Sequence, residues 1–171
     1  MSRAHPDALD VYQELLNIFP QAECVGPMLS ISDIPNDYPL FNRVMNRHIS
    51  QFWDKIPLWI ETLQGEIAYQ YAAIDTTFAV HRAGSHFRRM KAGIRVYEPY
   101  EAKHLDWYLT GISGDYHNSS SEKISHWNNA VEFERFRETP LEFSSYKSVE
   151  RNKEGDLVVI TRSLQDHVSS V

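Results

Sequence analysis

The chain has 171 residues, 42% of them hydrophobic and 23% charged, with a formal net charge of −6. That balance excludes a disordered or fibrous class, leaves one domain with enough chain to bury a core, and argues against general nucleic-acid binding. No apolar run approaches the roughly 18 to 20 residues of a membrane span, no signal core follows Met1–Pro6, and the single Cys24 excludes an internal disulfide, so a reducing cytoplasm is the expected location.

The first expected element is a helix from about Pro6 to Phe19. Leu9, Tyr12, Leu15, Leu16 and Phe19 recur at three- and four-residue steps, and Pro20 ends the run. Glu23 to Ile31 reads as a strand, and the turn-formers from Ser32 to Pro39 read as an ordered loop. A second helix should span Leu40 to Trp53, with Phe41, Val44, Met45, Ile49, Phe52 and Trp53 as its apolar stripe. Ile67–Ala73 and Thr76–His81 read as strands flanking Asp75, Ile94–Tyr97 as a short strand, and Tyr100–Leu109 as a helix that puts His104 and Trp107 on one face. Ser119 and Glu122 form a capping box for a helix running towards Phe136. Tyr146–Glu150 and Leu157–Thr161, joined by Asn152–Asp156, predict a hairpin, and the residues after Ser163 a frayed tail.

The chemistry-bearing candidates are polar groups set into apolar runs. Asp75 follows Ala72-Ala73-Ile74, where a charge is costly unless it is paired or hydrogen-bonded; it reads either as a pocket carboxylate or as the ion-pair partner of Arg82 or Arg95. Asp33 either caps its own turn or accepts a hydroxyl proton. His81 to Arg95 is locally basic, as a solvated loop or as one that closes over an anionic group such as a diphosphate. His104 and His126 stand beside Trp107 and Trp127, and these indoles with Tyr100 and Tyr108 are core residues or a sugar-stacking platform. Cys24 reads as a small core residue. There is no glycine-rich phosphate loop, and no two histidines lie three or four residues apart.

Taken in order, Val25-Gly26-Pro27-Met28-Leu29-Ser30-Ile31-Ser32-Asp33-Ile34-Pro35, Phe52-Trp53, Asp75-Thr76-Thr77-Phe78-Ala79 with Arg82, Pro99 to Tyr108, and Ile124-Ser125-His126-Trp127 resemble the C-terminal half of bacterial family 2-like glycosyltransferases of the GT-A fold. The resemblance covers most of residues 6 to 136. It implies an α/β fold: a mixed sheet with flanking helices like the acceptor-side half of a GT-A domain, over residues 1–139. A β-hairpin appendage and tail follow over 140–171. It further implies sugar transfer from a nucleotide-sugar to an acceptor hydroxyl. Asp75, His104 and Asp33 would be catalytic or acceptor-side residues, Arg82, Arg95, Tyr100, Trp107 and Trp127 would bind substrate, and His126 would complete the shell of a divalent metal (Mn or Mg). Two departures stand out. The family's Asp-x-Asp motif occurs nowhere in the chain, and Ser32-Asp33 stands where the family tends to show two acids. The donor-binding half is therefore expected to lie outside this chain, which would be either a truncated frame or one part of a split enzyme with an N-terminal donor-binding half as partner, and inactive alone. A homodimer through an unpaired sheet edge is a further expectation. The competing readings are a non-enzymatic glycan-binding or assembly module, and an unrelated metal-dependent hydrolase using Asp75, His104 and His126.

Overall fold

A computed structural model describes residues 5–74, 78–85, 91–104, 107–108 and 138–165. Within these the chain is α/β, with a mixed five-stranded sheet, two α-helices and a second, two-stranded antiparallel sheet. Helix α1 (Ala8–Ile18) buries Ala8, Val11, Tyr12, Leu15 and Leu16, the i, i+3, i+4 pattern of one face. Leu9, expected on that face, is 56% exposed instead. Helix α2 (Phe41–His48) runs on into a π-helical turn over Ile49–Trp53, in which the Asp54 N–H donates to the Ile49 carbonyl at 2.9 Å. Such turns widen a helix locally and redirect its side chains.

The sheet order is β2 (Leu58–Thr62), β3 (Gly65–Ile74), β5 (Lys91–Val96), β1 (Cys24–Pro27), β4 (Val80–His81). Only β1 and β5 run parallel, in the register Cys24↔Gly93 to Pro27↔Val96. β2 was not expected; it joins β3 as a hairpin around Leu63-Gln64, with Gly65 at φ 98° taking the left-handed conformation glycine tolerates. The basic stretch is not all loop either, because Lys91–Arg95 forms most of β5. The capping-box helix of Ser119 to Phe136 lies outside the described residues.

Alternation along β3 builds two cores. Ile67 and Tyr69 pack with α1, Val25, Ile94 and Val96 on one face. Ala68 joins Met28, Met45, Phe52, Trp53, Tyr97 and Trp107 on the other. The hairpin β6–β7 (Ser145–Arg151, Leu157–Ser163) falls where two β-prone runs and the turn residues between them placed it, and Tyr146, Val149, Leu157 and Leu164 belong to that second core.

The parallel pair needs close backbone approach. A Cβ at Gly93 would lie 2.7 Å from the Cys24 carbonyl oxygen and 2.7 Å from Ile74 Cγ1, and it would also crowd the Sγ of buried Cys24. Gly93→Ala is therefore expected to destabilise the fold by about 1–3 kcal/mol, the usual cost of overpacking. A shift in the urea midpoint, with unchanged slope, measures it.

Candidate active site

The carboxyl ends of a parallel strand pair are where α/β sheets open onto ligands, and here β1 and β5 continue past their last ladder residues. The Met28 N–H donates to the Val96 carbonyl at 2.8 Å. After β5 the chain turns out through Glu98-Pro99 and returns to lie beside β1. Ala102 bridges Leu29 in parallel, donating to the Met28 carbonyl and accepting from the Ser30 N–H, both at 2.9 Å. The helix expected over Tyr100–Leu109 is thus replaced by an extended segment at its start. The backbone hydrogen bonds of Ala102 go to β1, a pairing distant in sequence that no local pattern announces. What survives of the helical spacing is a single turn: the Trp107 N–H donates to the His104 carbonyl at 3.0 Å, and the two rings stack with centroids 4.9 Å apart.

A cleft of about 430 Å³ opens at these strand ends, under the β6–β7 hairpin. Its lining combines Ser30 and Ser32 from beyond β1, Glu98, Pro99 and Glu101 from beyond β5, Trp53 from the π-helical turn, and Tyr146, Ser148, Val149, Glu150, Arg151 and Arg162 from the hairpin. The volume lies within the usual range of ligand pockets. Trp53, Tyr146 and Val149 are each 2% exposed and make an apolar floor, while hydroxyls and carboxyls supply the polar wall.

Glu101 is the perturbed group. Burial of its carboxyl, reinforced by the negative charges of Glu98 and Asp33, pushes it from 4.5 up to about 8, against the lowering effect of hydrogen bonds from the Glu98 N–H (3.2 Å) and Ser30. It is thus largely protonated at neutral pH. A carboxyl with both a donor and an acceptor oxygen near neutrality can exchange a proton with a bound hydroxyl. Burial also raises the Tyr146 phenol to about 12, despite the lowering influence of Arg162.

Of the residues singled out in the sequence, Asp33 lies close enough to Glu101 to raise it, and is itself held by Lys103 and by the Tyr108 hydroxyl, which donates at 2.5 Å. Burial and that hydrogen bond to Asp33 raise the Tyr108 phenol strongly. The other described residues are engaged in the scaffold. Arg82 donates from Nε to the Ala22 carbonyl (3.0 Å) and from Nη2 to the Leu16 (2.6 Å) and Phe19 (3.0 Å) carbonyls, closing the carboxyl end of α1. Arg95 is fully buried; it donates to the Ala73 and Pro27 carbonyls and lies 4.2 Å from the Phe52 ring centroid. Tyr100 is 4% exposed and packs with the α1 core, its carbonyl accepting the Tyr12 hydroxyl at 2.7 Å. Trp107, 5% exposed, is consumed by His104 stacking on it and His48 meeting it edge-on at 4.9 Å. Asp75, His126 and Trp127 lie outside the described residues.

Among the described residues no group of three or more His, Cys, Asp or Glu side chains could hold a metal ion. No helix among them is long and apolar enough to cross a membrane. Glu98, Glu101, Trp53 and Tyr146 carry the cleft without having been singled out from sequence for a functional role; the one available signal was a pair of acids, Glu98 and Glu101, closely following the expected strand Ile94–Tyr97. Comparison with family models, with curated proteins and with solved structures returned no match to this chain.

Proposed function

We propose that this chain is a sugar-handling protein related to the acceptor-side half of GT-A glycosyltransferases, and that it receives a hydroxyl-rich ligand in the cleft at the ends of β1 and β5. The observation that carries the reading is Glu101: a carboxyl poised near neutrality, in a cleft whose apolar floor and hydroxyl-bearing wall suit a sugar. In transfer, the ionised fraction of Glu101, which grows as pH rises towards 8, would take the proton of the acceptor hydroxyl as that oxygen attacks, with Asp33 held beside it by Lys103. Donor sugar, diphosphate and divalent metal would come with a companion donor-binding half.

A second reading, a glycan-binding module without transfer, is favoured by one observation: the guanidinium groups of Arg82 and Arg95 are given to main-chain carbonyls, and so are not available to clamp a diphosphate. Titration of the ¹⁵N-labelled chain with maltose and cellobiose, and separately with uridine diphosphate and Mg²⁺, tests both. Saccharide-dependent shifts of the Trp53 indole and the Ser30, Ser32 and Ser148 amides are expected. A spectrum unmoved by either disaccharide overturns the sugar assignment. Metal-dependent diphosphate binding by the chain alone removes the need for a companion half.

A further inference from the structure

Strand β7 is open along one side. Among the described residues it pairs only with β6, and the Leu164 N–H, donating to the Ser144 carbonyl at 2.9 Å, fixes the phase of that ladder. Ladder hydrogen bonds recur at every second residue, so Arg162, Ile160 and Val158 turn their main-chain groups towards β6. Ser163, Thr161, Val159 and Leu157 turn theirs outward. The outward groups belong to the run Leu157-Val158-Val159-Ile160-Thr161, which has no charge, proline or glycine. Within it Val159 is 39% and Ile160 37% exposed. Open strands are ordinarily blunted by charge, proline or shortness. The edges of the five-stranded sheet follow that rule: Pro57 precedes β2 and Glu61 lies in it, and β4 spans only Val80–His81. β7 carries none of these guards.

The ends of the run say what pairs with it. Asp156 stands immediately before it and Arg162 immediately after it. Arg162 gives Nη2 to Glu150 and Nε to the Ser148 hydroxyl at 3.1 Å, and its Nη1 has no partner among the described residues. The Asp156 carboxylate is exposed and receives only Asn152 Nδ2, at 3.3 Å. An antiparallel copy of the same strand, laid with Val159 opposite Val159, sets Val158 opposite Ile160, Leu157 opposite Thr161 and Asp156 opposite Arg162. The outward N–H and C=O groups then meet their own kind. The two Asp156–Arg162 contacts fall at non-hydrogen-bonded positions, where facing side chains come closest. A slip of two residues either way puts Asp156 opposite Ile160 or Leu164 instead. We propose that β7 pairs in this register with β7 of a second copy of the chain, about a two-fold axis at Val159, joining the two hairpins into one four-stranded sheet in the order β6-β7-β7-β6. Such an interface is self-complementary, as a two-fold requires. Because Arg162 also lines the cleft, each copy lends a carboxylate to the roof of the other's site.

The test is sedimentation equilibrium of the whole chain from about 5 to about 500 µM, because one strand per partner makes a small interface of the weak, reversible kind. A monomer–dimer equilibrium within that range is expected. Val159→Pro deletes an outward N–H and no hydrogen bond to β6, and should leave monomers throughout. Asp156→Lys turns two exposed attractions into repulsions and should weaken association about tenfold. A parent that stays monomeric at the highest concentration overturns the proposal, and so does a dimer that neither variant disturbs. Loss of the dimer in Val159→Pro with none of the expected weakening in Asp156→Lys upholds the edge pairing and overturns the register. Should Val159→Pro fail to fold, hydrogen exchange on the parent decides. The Leu157, Val159 and Thr161 amides should be protected at high concentration and exposed on dilution, while Val158, Ile160 and Arg162 stay protected at both. Exchange at the three outward amides that ignores concentration overturns the pairing.

Discussion

Glu101→Gln is expected to flatten the dependence of stability on pH between about 5 and 8. In the folded chain this carboxyl is held up to about 8, first by burial and then by the charge of Glu98; unfolded, it returns to about 4.5. The folded state therefore binds the proton more tightly, and stability falls with rising pH wherever the unfolded chain has already lost it. The contribution is fully present below about 4.5 and is gone once pH has passed about 8. At 1.36 kcal/mol per pH decade, that span is worth at most about 5 kcal/mol. Glutamine keeps the shape and a donor and acceptor but cannot ionise. The variant should match the parent near pH 5 and exceed its stability at pH 8.5. Urea unfolding at pH 5, 6.5 and 8.5, followed by tryptophan fluorescence, reads the difference between the two chains and cancels titrations they share. A parent and variant that decline in parallel would remove Glu101 as the source. Glu98→Gln, by deleting the second-largest cause, should narrow the window from its upper end.

The elements legible in the sequence are those whose signal is local. Tyr12, Leu15 and Leu16 on α1 follow from the helical period, and the β6–β7 hairpin from two β-prone runs joined by the turn residues Asn152–Asp156. β2 was missed because Leu58 and Trp59 are both exposed on an outer strand, which erases the alternation a half-buried strand shows. Tyr100–His104 was misread because a spacing of three and four residues also arises from one turn next to an extended segment, and the partner of Ala102 sits at the far end of β1.

The site was harder to read for a related reason. A polar residue inside an apolar run signals burial with a partner, and the partner can be the main chain, as for Arg82 and Arg95, as readily as a ligand. Glu101 gave no such signal. Its perturbation comes first from burial and then from the charges of Glu98 and Asp33, brought together at two strand ends, a property of the fold and not of any segment.

Arg95→Ala is expected to cost about 3–5 kcal/mol, from the charge-assisted hydrogen bonds lost to two buried carbonyls together with the cavity left by a fully buried side chain. Arg95 sits on β5 between β3 and β1, fully buried, and reaches both neighbours: Nε to the Ala73 carbonyl at 2.9 Å and Nη1 to the Pro27 carbonyl at 3.3 Å, with the Phe52 ring beneath it. Its planar fork serves two strands at once. Lysine places a single point of charge on a flexible stem and cannot reproduce that geometry, so Arg95→Lys should lose roughly half as much. Pro27 ends β1, and Arg95 stands one residue before the end of β5, so the clamp acts where the strands release Ser30 and Glu98 into the cleft. Loosening it should therefore reach the site. Beyond the lowered urea midpoint, Arg95→Lys should shift the Ser30 and Glu98 amide resonances and bring the Glu101 carboxyl, read by ¹³C NMR, down from about 8 towards 4.5 as water gains access. A destabilised variant with an unmoved Glu101 titration would confine Arg95 to holding the sheet together, with no part in shaping the cleft.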